Sequence, residues 1–432
     1  MGEAVRKREI FGWAMFDFAN SSYTTVVITA LYAPFFIEHV VPPGQAARNS
    51  YWSLAMALST AAALLLSPLV GAVCDFSGRK KRLLAASALL CAGGTAMLGL
   101  AGQGDVALAI VLLVVSNASF MVGESLCASF LPEIATPRTM ARVSALGWGL
   151  GYIGGLASLL LARSVIGSSP DTDAFVRGNR LAMVATGAFF LVAATPTFLF
   201  LKNRSRPAPG FERASWSRLA ATGARELRRT LGHLGEYPLL VRFLSAFTIY
   251  MGGVDVVTKF VGIYARGVLA FTTGQLVTLF IVLQVSAALG ALLFGLLESR
   301  FGSRRIVLLT LGQWSLAVLA IHSLDRLAAA SGWAPATVFH VIALFAGSAI
   351  GATQSSSRTI VGLLAPAGKS AEAFGFWGFC ARLSAILGAA YGPVADLVGL
   401  RGALLLVLAF FLCGAAVLAT VRLPAGGAAA RD

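Results

Sequence analysis

Residues 71–82 read Gly71-Ala-Val-Cys-Asp75-Phe-Ser-Gly78-Arg79-Lys80-Lys81-Arg82. Apolar runs flank them on both sides, over about residues 50–73 and 83–102. Each run is long enough to cross a hydrocarbon layer about 30 Å thick, which takes about 20 helical residues. The stretch is therefore a short basic turn between two membrane helices. Gly71 allows close approach of a neighbouring helix, and Gly78 allows a turn with positive φ. Asp75 can accept hydrogen bonds from an arginine or from a helix N-terminus.

The whole chain has the composition this reading requires. It is 432 residues long, 57% hydrophobic and 12% charged, where soluble proteins average about 45–50% apolar and about 25% charged. So little charge cannot cover a soluble body of this size, and disorder needs the opposite balance. Cys74, Cys91, Cys127, Cys380 and Cys413 lie in or beside apolar runs, without metal-ligand spacing. They are expected as small packing residues, with no disulfide framework, metal or cofactor. His322 and His340 are lone and read as packing residues. No P-loop, nucleophile elbow or HExxH motif occurs, so neither an enzyme nor a chain that hydrolyses ATP is expected.

Segments of spanning length fall near 13–37, 50–73, 83–102, 106–130, 143–166 and 181–201, then near 239–264, 275–297, 306–324, 335–357, 374–397 and 403–421. The expected fold is an all-α polytopic membrane protein of twelve transmembrane helices in two six-helix halves, 1–202 and 239–432. A basic stretch at the start leads directly into the first apolar run, with no small-residue cleavage site, and reads as a retained first helix. The linker, 203–238, places Trp216, Leu219, Leu227, Leu231 and Leu234 near helical spacing with Arg218, Arg225, Arg228 and Arg229 between them. That pattern predicts a helix lying in the membrane interface, in preference to a nucleic-acid arm.

The net charge of +15 acquires its meaning from where the cations sit. Most lysines and arginines fall in the loops on the side of the N-terminus. The opposite loops hold Arg48, Arg163, Arg177, Arg180, Arg266, Arg326 and Arg401, while Arg242, Lys259 and Arg382 fall within spans. The bias places both termini in the cytoplasm. The layout, six spans, a basic linker and six spans, recurs in transporters built from two halves around a midplane site.

After the eighth span the chain reads Gly295-Leu-Leu-Glu298-Ser299-Arg300-Phe301-Gly302-Ser303-Arg304-Arg305. Both glycines recur seven apart, but Ser299 stands where Asp75 would be and Glu298 comes one place early. The first of these loops, GxxxD followed by GRKxR, resembles the loop signature of the major facilitator superfamily. Four further stretches narrow the resemblance: Trp13-Ala-Met-Phe-Asp17-Phe-Ala-Asn20-Ser21-Ser22-Tyr23, Leu131-Pro132-Glu133-Ile134-Ala135, Arg142-Val-Ser144-Ala-Leu-Gly147-Trp148-Gly149-Leu-Gly151-Tyr152-Ile-Gly154-Gly155, and Gln354-Ser-Ser-Ser357-Arg358 with Pro366 and Phe374-Gly375-Phe376. Together they are similar to the vacuole-effluxer-like (autophagy-related) branch of that superfamily, over nearly the whole chain. The resemblance implies the major facilitator fold, with spans one, four, seven and ten lining a cavity. It also implies a latch at Asp75 and Arg79–Arg82 that holds the cytoplasmic side closed, and a link to amino-acid export, a role associated with the fungal members. The chain departs from the branch at Gly252, where an acid is usual; Asp255 lies one turn on.

Each ionisable residue inside a span costs about 2.5–3.5 kcal/mol on insertion scales and so asks for a reason. Asp17, Asn20, Ser21 and Thr24 share one helical face, as do Asn117 and Glu124. Asp255 and Lys259 are spaced as an ion pair at i, i+4. Arg382 lies in span eleven, and Gln354 and Arg358 end span ten. Asn20, Tyr23, Asn117, Gln354 and Arg382 are the expected substrate contacts. Asp17, Asp75, Arg79, Glu124, Asp255, Lys259 and Arg358 are the expected coupling or gating groups. Helix–helix hydrogen bonding is the alternative reading of the polar residues. Gly147, Gly151, Gly154, Gly155, Gly388 and Gly392 are expected at close helix contacts.

The expected function is secondary active transport, by alternating access, of a small polar or zwitterionic solute, with amino-acid efflux and proton coupling as candidates. The chain is expected as a monomer in a bacterial inner membrane, without nucleic-acid partners. A transport-inactive sensor or a lipid-handling protein on the same fold is the alternative.

Overall fold

The computed structural model describes residues 7–45, 48–166, 172–205, 207–209, 211, 214–232 and 234–423. Arg6, Arg206, Arg213 and Arg431 lie outside them, as do the side chains of Trp216, Leu231 and Leu234. All regular structure among the described residues is helical, the economical solution in lipid because a helix satisfies its own backbone polar groups. The first helix, α1 (Lys7–Ser22), widens into a π-helical stretch over Tyr23–Ala30 and breaks at Leu31. It resumes over 32–40 at a bend of 42°. Then come α2 (Arg48–Ser77), α3 (Lys80–Met97), α4 (Val106–Ala128), α5 (Met140–Ile166), α6 (Thr172–Phe200) and the linker helix α7 (Trp216–Gly232). The second half supplies α8 (Pro238–Leu269), α9 (Thr273–Phe301), α10 (Ser303–His322), α11 (Pro335–Leu364), α12 (Ser370–Gly388) and α13 (Tyr391–Ala419).

Helices stand at all twelve predicted span positions. Ten described helices are long and apolar enough to cross a membrane, and α1 with its bent continuation makes an eleventh. The helix at the position of the predicted eleventh span, α12, is 19 residues long and carries Glu372 and Arg382. That segment is also where the sequence reading placed a boundary wrongly. A single helix was expected over 374–397, but α12 stops at Gly388 and α13 begins at Tyr391, with a break inside it at Gly399 (φ 77°, ψ 160°). Apolar residues continue through the turn at 389–390, so hydropathy does not mark it; the separate break inside α13 takes a glycine-only backbone conformation.

The chain divides into two compact units. One comprises Met1–Ile134, Leu150–Thr230 and Pro366–Phe379, and the other Ala135–Gly149, Leu231–Ala365 and Cys380–Asp432. Within the first unit α1 packs on α6, α2 on α4, and α3 on both α4 and α6. Within the second α8 packs on α13, α9 on α11, and α10 on both α11 and α13. The two sets correspond span for span at an offset of six, which makes the internal repeat explicit.

Packing inside each unit relies on small residues, as expected where lipid removes the hydrophobic drive between helices. Gly154 of α5 lies directly on the backbone of Phe18 in α1. The corresponding contact of the repeat is Gly388 of α12 on α8, where a Cβ would come 3.0 Å from the Gly252 carbonyl oxygen. Gly392, expected at such a contact, instead faces open space. Leu65, Val192 and Leu397 are 74, 74 and 84% exposed, a surface suited to acyl chains. Replacing Gly154 by Ala is expected to destabilise the protein by about 1–3 kcal/mol through overpacking. Gly93→Ala, with nothing within 4 Å of the added carbon, should leave melting in detergent unchanged or slightly raised.

Candidate functional site

The first unit buries a polar junction where α2, α3, the end of α4 and the start of α12 meet. α12 opens with amides that have no partner inside the helix. Asp75 supplies acceptors for two of them: the Ala371 N–H donates to Oδ1 at 3.0 Å and the Glu372 N–H to Oδ2 at 2.7 Å. The carboxylate thus sits at the positive end of a helix dipole. Gly71 is what lets the two helices come this close, since a Cβ there would meet the Ala371 carbonyl. One turn on, Gly78 takes φ 64°, the left-handed conformation expected of it. Lys80 follows, 1% exposed. Its ammonium donates to Glu133 Oε1 at 2.6 Å and Ser370 Oγ at 2.9 Å. The ammonium also lies over the Phe130 ring, 5.2 Å from its centroid.

The second unit has the counterpart junction, built with different chemistry. Gly295 packs against Ala145 of α5, as Gly71 packs against α12. Arg142 reaches Ser299 at 3.4 Å, where the first junction has a carboxylate. Arg358, 2% exposed, donates from Nε to Ser144 Oγ at 3.1 Å and from Nη2 to the Ser144 carbonyl at 2.8 Å. Its guanidinium lies over Trp148, 5.4 Å from the ring centroid. The displaced acid, Glu298, is turned inward, 2% exposed, and accepts from Ser356 at 2.7 Å.

Other predicted residues separate into those engaged in packing and those with capacity left. Tyr23 is 1% exposed, and its hydroxyl pairs with Ser116 at 2.9 Å. Tyr250 pairs with Ser357 at 2.7 Å, the same connection between the first and fourth spans of a half. Asn117 donates to Ser59 at 2.8 Å. Asn20 is buried, with its Oδ1 lacking a hydrogen-bond partner. Asp17, Glu124, Gln354 and Arg382 are half-buried. Asp255 and Lys259 form the expected pair at 2.7 Å, Lys259 being 58% exposed. Arg79 donates to the Ala214 carbonyl at 3.2 Å, tying the basic loop to the linker. Beyond the spans, the hydrogen bond from Arg401 holds Asp325 below the ordinary carboxylate range. Among the described residues no cluster of His, Cys, Asp and Glu could hold a metal.

The family described as vacuole effluxer Atg22-like matches residues 40–431. The chain belongs to that family. This Atg22-like chain is 24% identical over 381 residues to YxiO of Bacillus subtilis strain 168, an uncharacterized MFS-type transporter, with 87% of this chain and 85% of YxiO covered. It is also 24% identical over 292 residues to autophagy-related protein 22-1 of Neosartorya fischeri, covering 61% of this chain and 46% of that protein. Thus the chain spans about half the length of that fungal relative. The proton:xylose symporter XylE has the same fold, with TM-score 0.72 at 13% identity and 96 and 95% coverage of the two chains. So does a bacterial homologue of the iron transporter ferroportin in its outward-facing state, with TM-score 0.68 at 12% identity and 95 and 98% coverage. The Atg22-like chain is a multi-pass membrane transporter of the major facilitator superfamily, a group that is not enzymatic.

Residue reading of the family motifs missed several members of these junctions. Glu133 and Ser144 stand in those motifs with no role of their own, and Glu9, which takes a bidentate pair from Arg204 at 2.5 and 3.0 Å, carries no motif. The one local signal was an acid at the end of an apolar run, as in Leu131-Pro132-Glu133.

Two outcomes test the first junction. Asp75→Ala leaves two first-turn amides without their acceptor and should cost about 1–3 kcal/mol, with faster hydrogen exchange at Ala371 and Glu372; Asp75→Asn should fall between. Lys80→Met should cost about 3–5 kcal/mol by leaving Glu133 without its cation. The double variant Lys80→Met/Glu133→Gln should recover a large part of that loss in a thermal-denaturation cycle.

Proposed function

We propose that this chain is a secondary active transporter that exports a small polar or zwitterionic solute, amino acids foremost, by alternating access driven by protons. The reading is supported above all by the way two segments change allegiance. The start of α5, within 135–149, belongs to the second compact unit, and the start of α12, within 366–379, belongs to the first. Rocking residues 1–202 against 239–432 would have to pull each start from its host.

The chemistry of the first junction suits such a cycle. Hydrogen bonds to a charged group contribute about 1.5–3 kcal/mol net, enough to bias a state and too little to trap it. On separation, water replaces Asp75 at the α12 amides. The Lys80–Glu133 pair, whose members both lie in the first half, stays together and loses only Ser370. The basic loop carrying this junction is assigned to the cytoplasmic side by the positive-inside bias, with both termini there and the bacterial inner membrane as the location. The junction then acts as a latch that closes the cytoplasmic side, giving the outward-facing state.

Asn20, with its unpartnered acceptor, Asn117, Gln354 and Arg382 are the proposed solute contacts, an ammonium and a carboxylate needing groups of opposite character. Tyr23 supports them from behind through Ser116. Asp17 and Glu124 are the proposed proton-coupling groups, and Asp255 with Lys259 the corresponding pair in the second half. The test is uptake of labelled amino acids into proteoliposomes under an imposed pH gradient. Asn20→Leu should raise KM with little change in folding, and Asp17→Asn with Glu124→Gln should uncouple uptake from the gradient while counterflow persists. Full gradient-driven uptake by both neutral variants rules out proton coupling through them. Absence of counterflow for every amino acid rules out the cargo.

A further inference from the structure

The linker helix α7 is tied to the membrane end of α2 at a definite depth. Leu219, fully buried, forms a small core with Val73 and Ala214, and Phe76, Leu83 and Phe211 pack around it. Gly223 faces Val73 and Leu69, the Leu69 Cδ1 lying 3.5 Å from where a Cβ would stand. Leu69 precedes the last residue of the α2 span, Ser77, by two turns, or about 12 Å of helix. The α2 span is 28 residues long, about 42 Å, close to the full thickness of a bilayer with its headgroups. A helix beside its last two turns therefore lies in the headgroup layer and at the edge of the acyl chains.

The face that α7 turns away from α2 is cationic. At 100° per residue Leu219, Gly223 and Leu227 share one side, and Arg218, Arg225 and Arg229 lie nearly opposite, with Arg228 beside them. All four arginines are exposed. Arg218 lies over the Phe211 ring at 5.2 Å. Among the described residues Arg225 and Arg228 make no hydrogen bond or ion pair, and Glu226 is the only acid on the helix. Guanidinium groups without counter-charge at headgroup depth are matched by phosphodiesters, which they grip with two parallel hydrogen bonds.

We propose that the arginine face of α7 is a binding site for anionic phospholipid headgroups. The site also connects to the latch. The Ala208 N–H donates to the Phe76 carbonyl at 2.8 Å, Asn203 donates to the Gly78 carbonyl at 2.7 Å, and Arg79 donates to the Ala214 carbonyl. The linker is thus strapped across the loop that carries Asp75 and Lys80, and lipid bound to α7 holds the strap in place. That last step rests on the latch reading; the binding itself does not.

The test uses the purified full chain in neutral detergent, with added phosphatidylglycerol, phosphatidylcholine or inorganic phosphate. Phosphatidylglycerol should raise the melting temperature by several degrees more than phosphatidylcholine, and the increment should shrink with added salt because exposed charges are screened. The exposed-site variant Arg225→Gln/Arg228→Gln should melt as the parent does in phosphatidylcholine and lose the phosphatidylglycerol increment. Equal stabilisation by both lipids, an undiminished increment in the variant, or the same shift from inorganic phosphate each overturns the proposal. Hydrogen exchange over residues 76–82 should slow with phosphatidylglycerol. Unchanged exchange alongside intact lipid binding overturns the link to the latch alone.

Discussion

A helix whose first turn is buried by packing must find acceptors within the protein for its first amides, because water is excluded from them. At the start of α12 that need is met by Asp75, 296 residues earlier in the chain, and much of the surrounding structure follows from it. The two backbones must approach closely enough for a short carboxylate to reach, which requires Gly71. The chain must then reverse within one turn, which requires the positive φ at Gly78. Lys80, buried beside Asp75 and paired with Glu133, is tolerated where an unpaired buried cation would be costly. One cap thus explains the spacing of the loop motif better than the need for a basic loop does.

The repeat reproduces the geometry and alters the chemistry. Gly295 keeps the close approach and Gly302 keeps the turn, at φ 82°. With Ser299 at the place of the aspartate, the second junction is held by an arginine on a serine hydroxyl and carbonyl, with Glu298 in a nest of hydroxyls. The second junction keeps its acid, Glu298, among hydroxyls and apart from a cation, whereas the first pairs Asp75 with helix amides and Glu133 with Lys80. The two junctions thus share one architecture and differ in chemistry.

The parts of this structure that local pattern could reveal were those set by local physics. Apolar run length located twelve helices, the glycine spacing gave Gly78 its conformation, and i, i+4 spacing gave the Asp255–Lys259 pair. Run length failed between Gly388 and Gly399, where apolar residues continue through a turn that only backbone conformation marks. It also gave no sign that α1 widens into a π-helix after Ser22. The partners of Lys80, Arg358 and Glu9 lie from tens to hundreds of residues away, and no periodicity records them. Leu219 and the arginines of α7 were legible as an amphipathic pattern. That the apolar side rests on Val73 and Leu69 depends on where the chain returns after the sixth span.

The hydroxyls are where local pattern says least about hydrogen-bonding capacity. Tyr23 is expected among the solute contacts, yet it is buried with its hydroxyl on Ser116, whose own proton goes to the Leu112 carbonyl at 2.7 Å. Tyr250 and Ser357 repeat the arrangement, Ser357 donating to the Thr353 carbonyl at 2.5 Å. A hydroxyl pair closed in this way binds its first span to its fourth in each half and has little left to offer a solute. In the proposed transporter, recognition would then fall to groups whose hydrogen-bonding capacity packing has not consumed. The Asn20 carbonyl oxygen is the clearest of these, buried and without a partner, and a buried acceptor in that condition costs about 1–3 kcal/mol until a donor reaches it. A solute bearing an ammonium or amide hydrogen would relieve that cost on binding; one offering only acceptors would not. At the proposed solute site this asymmetry would give the first span a preference for donors, independent of what the second half contributes.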